Sequence, residues 1–214
     1  MTDRRERLPS ARLYLVCDEQ TDDFLHRVMG AGVDIVQLRM KDAGDDAIVA
    51  AGQRFARAAA THGALFVLND RPDLVAATGA DGVHVGQDDV AVSDARAIVG
   101  PDHLIGLSTH SPEQIDAAAA LGVDYIGVGP VHATPTKPGR PAVGLELVGY
   151  AAEHATVPFF AIGGISPENV EAVRSAGAER IAVVRALTDA SDPVRAARRL
   201  RQGISAPEVR LGAA

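Results

Sequence analysis

Residues 104–129, LIGLSTHSPEQIDAAAALGVDYIGVG, hold one complete unit of the fold. Leu104–Ser108 is a short apolar run of the kind buried on both faces in a parallel sheet. Ser111-Pro112 follows it, a capping hydroxyl with proline at the first helical position. The alanine-rich stretch then stops at Gly122, a residue suited to closing a helix in the left-handed conformation. Tyr125–Gly129 starts the next β-run.

The same pattern extends in both directions. β-Rich runs lie at Leu13–Asp18, Asp34–Lys41, Leu65–Asp70 and Gly82–Gly86 before this unit, and at Phe159–Gly163 and Arg180–Arg185 after it. Helical stretches start near Asp22, Asp45, Pro72, Ser93, Pro112, Leu145, Pro167 and Pro193. Ser166-Pro167 and Asp192-Pro193 repeat the capping signal, and Gly32 and Gly177 repeat the stop signal. Eight strict alternations with short connections predict an α/β fold of the (β/α)8 TIM-barrel type. We expect one domain over residues 11–205, with flexible ends at 1–10 and 206–214. A doubly wound open sheet is the alternative, with fewer strands and one switch point.

The bulk composition fits this reading. A chain of 214 residues is a compact barrel, and 47% hydrophobic with 23% charged residues excludes a disordered chain. The net charge of -7 argues against nucleic acid as a partner, so any phosphate must be held locally. The single cysteine, Cys17, sits in an apolar run and reads as a small buried hydrophobe. The basic start, Met1-Thr2-Asp3-Arg4-Arg5, has no long apolar stretch behind it, and no run approaches the ~20 residues of a membrane span. A cytoplasmic location, no membrane and no nucleic acid are expected; a homo-oligomer is compatible with the sequence.

In a barrel, side chains alternate inward and outward along each strand. The second run ends Gln37-Leu38-Arg39-Met40-Lys41, which puts Gln37, Arg39 and Lys41 on one face and Leu38 and Met40 on the other. The apolar pair should meet the helices, leaving a fork-shaped and a point cation at the C-terminal rim, a combination suited to a diphosphate. Asp70 and one of Asp88 and Asp89 stand on adjacent strand ends, and two carboxylates with phosphate oxygens suit Mg2+. The plain competing role for Asp70 and Asp89 is capping of the helices that follow. His84, between Val83 and Val85, should face inward as a hydrogen-bonded core residue. The longest irregular stretch, Val131–Gly144, follows the sixth run and carries Thr134, Pro135, Thr136 and Lys137. Its hydroxyls suit phosphate oxygens, and Lys137 suits a leaving group. Gly163-Gly164 and Arg185 close the seventh and eighth runs, where barrels of this type bind phosphate through backbone N–H groups. There is no nucleophile motif, zinc motif, Walker loop or dinucleotide fingerprint.

These runs, taken in order, resemble the thiamine-phosphate synthase family. The matching pieces are Gln37–Asp42, Asn69-Asp70-Arg71, Ala80–Asp89, Gly106–His110, Asp124–Pro130 with Thr134–Lys137, and Ala161–Ile165. The resemblance implies a transferase with two phosphorylated small-molecule substrates and one Mg2+ per subunit. It implies that Gln37, Arg39, Lys41, Asn69, Ser108 and Lys137 hold a pyrimidine diphosphate, with Leu38 and Met40 in the same run. It implies that Asp70 and Asp89 bind the metal, Asp89 by its Gly-Gln-x-Asp spacing. It places Thr134, Pro135, Thr136, Gly164, Val184 and Arg185 around a thiazole phosphate. Arg39, Lys41 and Lys137 would then carry the catalytic charge neutralisation. One departure stands out: the family commonly has serine at position 185. A thiazole tautomerase-like barrel and a non-catalytic phosphometabolite-binding barrel are the alternatives.

Overall fold

A computed structural model describes residues 4–133 and 141–205. Eight parallel strands form a closed barrel in sequence order. They are β1 (Leu13–Cys17), β2 (Ile35–Leu38), β3 (Leu65–Asn69), β4 (Gly82–Val85), β5 (Leu104–Thr109), β6 (Tyr125–Val128), β7 (Phe159–Ile162) and β8 (Ile181–Val183). β1 closes on β8 with Leu13 opposite Ile181. The open-sheet alternative is thereby excluded.

Two of the three capping signals act as their sequence suggests; at Ser166-Pro167 the helix instead starts at Val170, with Asn169 at its N-cap and no side-chain cap bond. Ser111 accepts from the Gln114 N–H at 3.4 Å, and Asp192 accepts from the Arg195 N–H at 3.0 Å. Gly122 ends its helix at φ 74°, the left-handed conformation that glycine adopts without steric cost.

Two apolar layers hold the barrel. The outer layer lies between strands and helices and takes Leu38, Val83 and Ile126, along with Cys17. Burial pushes the Cys17 thiol far up, so it behaves as the inert hydrophobe its context suggested. The inner layer fills the barrel with Tyr14, Val16, Ile35, Val67, Tyr125 and Phe160.

One expectation fails here. Residues 4–10, read as a flexible end, form a short helix at Arg4–Arg7 and a 3-10 turn at Leu8–Ser10. Leu8 and Ala11 are buried in the inner layer and close the N-terminal end of the barrel. Arg4 pairs with Asp81 at 2.8 Å and Arg5 with Asp124 at 2.6 Å. Two apolar side chains and two guanidiniums in a polar-looking segment suffice to anchor it. The tail 206–214 lies outside the described residues.

Candidate active site

A cavity of about 230 Å3 opens at the C-terminal end of the barrel. Its floor is the top of the inner layer. Gln37, buried on β2, donates from Nε2 to the Tyr14 hydroxyl at 2.6 Å. Tyr14 and Tyr125 share a hydroxyl–hydroxyl bond of 2.9 Å. His84 contacts the Tyr125 hydroxyl through Nδ1 at 3.2 Å and the Ser108 hydroxyl through Nε2 at 3.0 Å. Gly106 makes this crossing fit: a Cβ there would lie 2.2 Å from the Tyr125 ring and 2.5 Å from His84 Nδ1. Burial pushes both phenols well above their ordinary range, so their hydroxyls stay protonated.

Charge sits above the floor. Arg39 lines the cavity half-buried and has no ion-pair partner among the described residues. Lys41 Nζ lies 3.0 Å from Asp70 Oδ2, which also accepts from Asn69 Nδ2 at 2.6 Å. Asp70 has φ 58°, an uncommon conformation outside glycine. Its carboxyl is raised above the ordinary aspartate value by burial and by the nearby Asp89 charge, which together outweigh Lys41. Asp89 accepts from the Gly86 N–H at 2.9 Å, bracing the loop after β4.

The plain competing role of these aspartates is not seen. The turn at Pro72–Leu74 follows Arg71 and the helix Val92–Val99 follows Ala91, neither with a side-chain cap. Asp70 and Asp89 both line the cavity, whereas Asp88 is absent from its wall. Among the described residues no group of three or more His, Cys, Asp or Glu side chains could hold a metal ion. The carboxylate pair still fits a hard divalent cation. Its oxygens are of the right chemistry, and a cation held there would offset the burial and the Asp89 repulsion that together raise Asp70.

The opposite wall comes from β6, β7 and β8. Gly163 and Gly164 line the cavity with φ 106° and 63°. Their lack of a side chain serves the protein's own packing first: a Cβ on Gly163 would meet Pro130 Cα at 2.5 Å, and one on Gly164 the His132 Cβ at 2.7 Å. Ligand approach, the role their position in the sequence suggests, is therefore not their only constraint. Val184 and Arg185 line the same wall, and a four-residue helix starts at Arg185, an element the sequence did not suggest. The Arg185 side chain is exposed on the cavity wall, and no ion pair among the described residues holds it away from the cavity.

The structure thus brings together Gln37, Arg39, Lys41, Asn69, Asp70, Asp89, Ser108, Gly164, Val184 and Arg185. Leu38 and Met40 are not brought in: their side chains pack into the outer layer, and neither residue lines the cavity. Thr134, Pro135, Thr136 and Lys137 lie outside the described residues. Tyr14, Tyr125 and His110 were missed. His110 carried a visible signal, since it alternates with Ser108 at the end of β5; its Nδ1 bonds the Gly129 carbonyl.

A closed parallel barrel whose C-terminal mouth sets cations against a carboxylate pair is a TIM barrel with a mouth suited to an anionic ligand. Within that class the chain belongs to the thiamine monophosphate synthase family, whose sequence profile matches residues 13–187. It is 50% identical over 195 residues to the thiamine-phosphate synthase of Gloeobacter violaceus, covering 90% of this chain and 57% of that protein. It is 49% identical over 218 residues to the thiamine-phosphate synthase of Mycobacterium bovis, covering 94% of this chain and 97% of that one. Among solved structures it resembles the thiamine phosphate pyrophosphorylase of Pyrococcus furiosus, with TM-score 0.84, 31% identity, and coverage of 94% and 96%.

Proposed function

We propose that this protein is a thiamine-phosphate synthase, joining an aminopyrimidine methyl diphosphate to a thiazole phosphate with release of diphosphate. The observation that carries the reading is the meeting of Arg39, Lys41, Asp70 and Asp89 at one cavity in a chain that matches the mycobacterial synthase over nearly its full length. Arg39, free of any competing carboxylate among the described residues, offers its fork to the diphosphate. Lys41 is shared between Asp70 and the ligand, and Lys137, which follows β6 in sequence and lies outside the described residues, neutralises the departing charge. A divalent cation, held by Asp70 and Asp89, would supply further neutralisation of the diphosphate. The electron-rich pyrimidine stabilises the methylene cation left by diphosphate, and the thiazole nitrogen attacks it. No side-chain nucleophile is needed. Arg185, Val184 and Gly164 receive the second phosphate, where arginine replaces the usual serine. The protein works in the cytoplasm on small molecules, without nucleic acid; no helix among the described residues is long and apolar enough to cross a membrane.

The direct test mixes the pyrimidine diphosphate, the thiazole phosphate and Mg2+ with the protein and measures thiamine phosphate. Formation that stops on chelation is expected. Binding of either ligand without product would overturn the reading. Lys137→Ala should lower kcat more than it raises KM, if its work is on the departing charge.

A further inference from the structure

Five side chains from five strands form an unbroken hydrogen-bonded chain across the cavity floor: Gln37, Tyr14, Tyr125, His84 and Ser108. We propose that this chain is one-directional, and that Tyr14 and Tyr125 are positioning residues that fix the His84 tautomer and turn the Ser108 hydroxyl proton into the substrate cavity. The inference rests on the proposed reaction only for the identity of the ligand that meets Ser108.

The direction follows from counting protons. Gln37 Nε2 can only donate, so the Tyr14 oxygen accepts at 2.6 Å. A phenol has one proton, so Tyr14 gives its own to Tyr125 across 2.9 Å. Tyr125 has then only its own proton left to give, and the atom in reach is His84 Nδ1 at 3.2 Å. An accepting Nδ1 leaves the neutral ring with its proton on Nε2, which points at Ser108 Oγ at 3.0 Å. Ser108 accepts there, and its own proton is left to point into the cavity that it lines. A phosphate oxygen, an acceptor only, is the complement of that proton. The apolar surroundings hold the chain in one sense: Tyr14 and Tyr125 are buried and clamped edge-on against Phe160 at 5.3 and 5.6 Å. Both phenols are buried with their hydroxyls already engaged, so reversing the chain requires every member to change partner role together.

The test reads the tautomer directly. Protein labelled with 15N-histidine should show His84 as a single species, with a pyridine-type Nδ1 and a protonated Nε2. Tyr125→Phe, which keeps the ring and removes the hydroxyl, should give a mixture of tautomers. Tyr14→Phe is the sharper variant, because Tyr14 reaches His84 only through Tyr125; a minor protonated-Nδ1 population should appear there too. In both variants KM for the pyrimidine diphosphate should rise by about three- to tenfold, the size of one misdirected hydrogen bond, with kcat changed less. A wild-type protein carrying its proton on Nδ1 would overturn the proposal, since the chain would then run from Ser108 to Gln37. An unchanged His84 spectrum in folded Tyr14→Phe would overturn the relay. The labelled spectra do not depend on turnover, so an expected tautomer in a protein that makes no thiamine phosphate would leave this inference standing and remove the proposed function.

Discussion

At the N-terminal end of the barrel, Asp34, Asp81 and Asp124 precede alternate strands, and each is fully engaged. Asp124 accepts from the Ile105 N–H at 2.8 Å and pairs with Arg5 at 2.6 Å and Arg96 at 2.8 Å. Asp81 accepts from the Phe66 N–H at 2.9 Å and pairs with Arg4. Asp34 accepts from the Arg12 and Leu13 N–H groups and pairs with Arg201. At the C-terminal end, Asp70 is held in a left-handed backbone with a raised carboxyl, beside a second carboxylate, and Arg39 has no ion pair among the described residues. The same residue types serve two ends. Where every charge is answered within the chain, charge fixes the fold. Where it is left unanswered in a cavity, the missing partner is a ligand.

Substitutions should therefore separate by end. Arg39→Ala has the largest expected effect: kcat/KM for the pyrimidine diphosphate falls by about 100- to 1000-fold, because a preorganised fork on the diphosphate is lost. Its Tm should stay within a few degrees of the parent or rise. A Tm loss as large as the activity loss would mean that Arg39 is answered by the fold after all.

Asp124→Ala should do the reverse. It leaves the Ile105 N–H, Arg5 and Arg96 without their shared acceptor, at a cost of about 2–4 kcal/mol, and activity per folded molecule persists. Urea unfolding with an activity assay on the native fraction checks both halves. Leu8→Ala should cost about 2 kcal/mol by opening a cavity in the barrel's closed end, again without touching kcat. A stability change near zero would return residues 4–10 to the flexible role their sequence suggested.

The ease of reading these features tracks how local their cause is. The strands and most helix starts follow from period, cap and stop signals contained within about ten residues of chain, and they lie close to their sequence positions. Gln37, Arg39 and Lys41 were legible because strand alternation alone places them inward. Tyr14 and Tyr125 were not, because an aromatic in an apolar run reads as core, and only the folded barrel shows that their hydroxyls meet across 111 positions of sequence. The N-terminal plug was hidden for the same reason: Arg4 finds Asp81 and Arg5 finds Asp124, partners no local pattern can announce. The glycine pair at 163–164 lines the cavity, but its packing against the chain after β6 was hidden, because Pro130 and His132 are distant in sequence.

Arg71 gives the finest cut, because it lies at the C-terminal end yet is satisfied. It follows Asp70 directly, and its guanidinium is tied to Asp45 at 2.7 Å and Asp73 at 2.6 Å. Hydrogen bonds from Arg71 are the first cause that holds the carboxyls of Asp45 and Asp73 below their ordinary values. A depressed carboxyl contributes stability above its unfolded pKa and loses it as pH falls through the folded one. These groups are largely exposed, so solvent screens most of the effect. Arg71→Ala should lower Tm by roughly 1–2 °C at neutral pH. The gap between variant and parent should close as pH falls below the depressed carboxyl range. If end of barrel decided function, this variant would lose activity as Arg39→Ala does. If satisfaction decides it, kcat/KM should hold within about twofold, the scale of one surface ion pair. A hundredfold loss in Arg71→Ala with an unchanged Tm would place Arg71 at the ligand and break the rule drawn from the two ends.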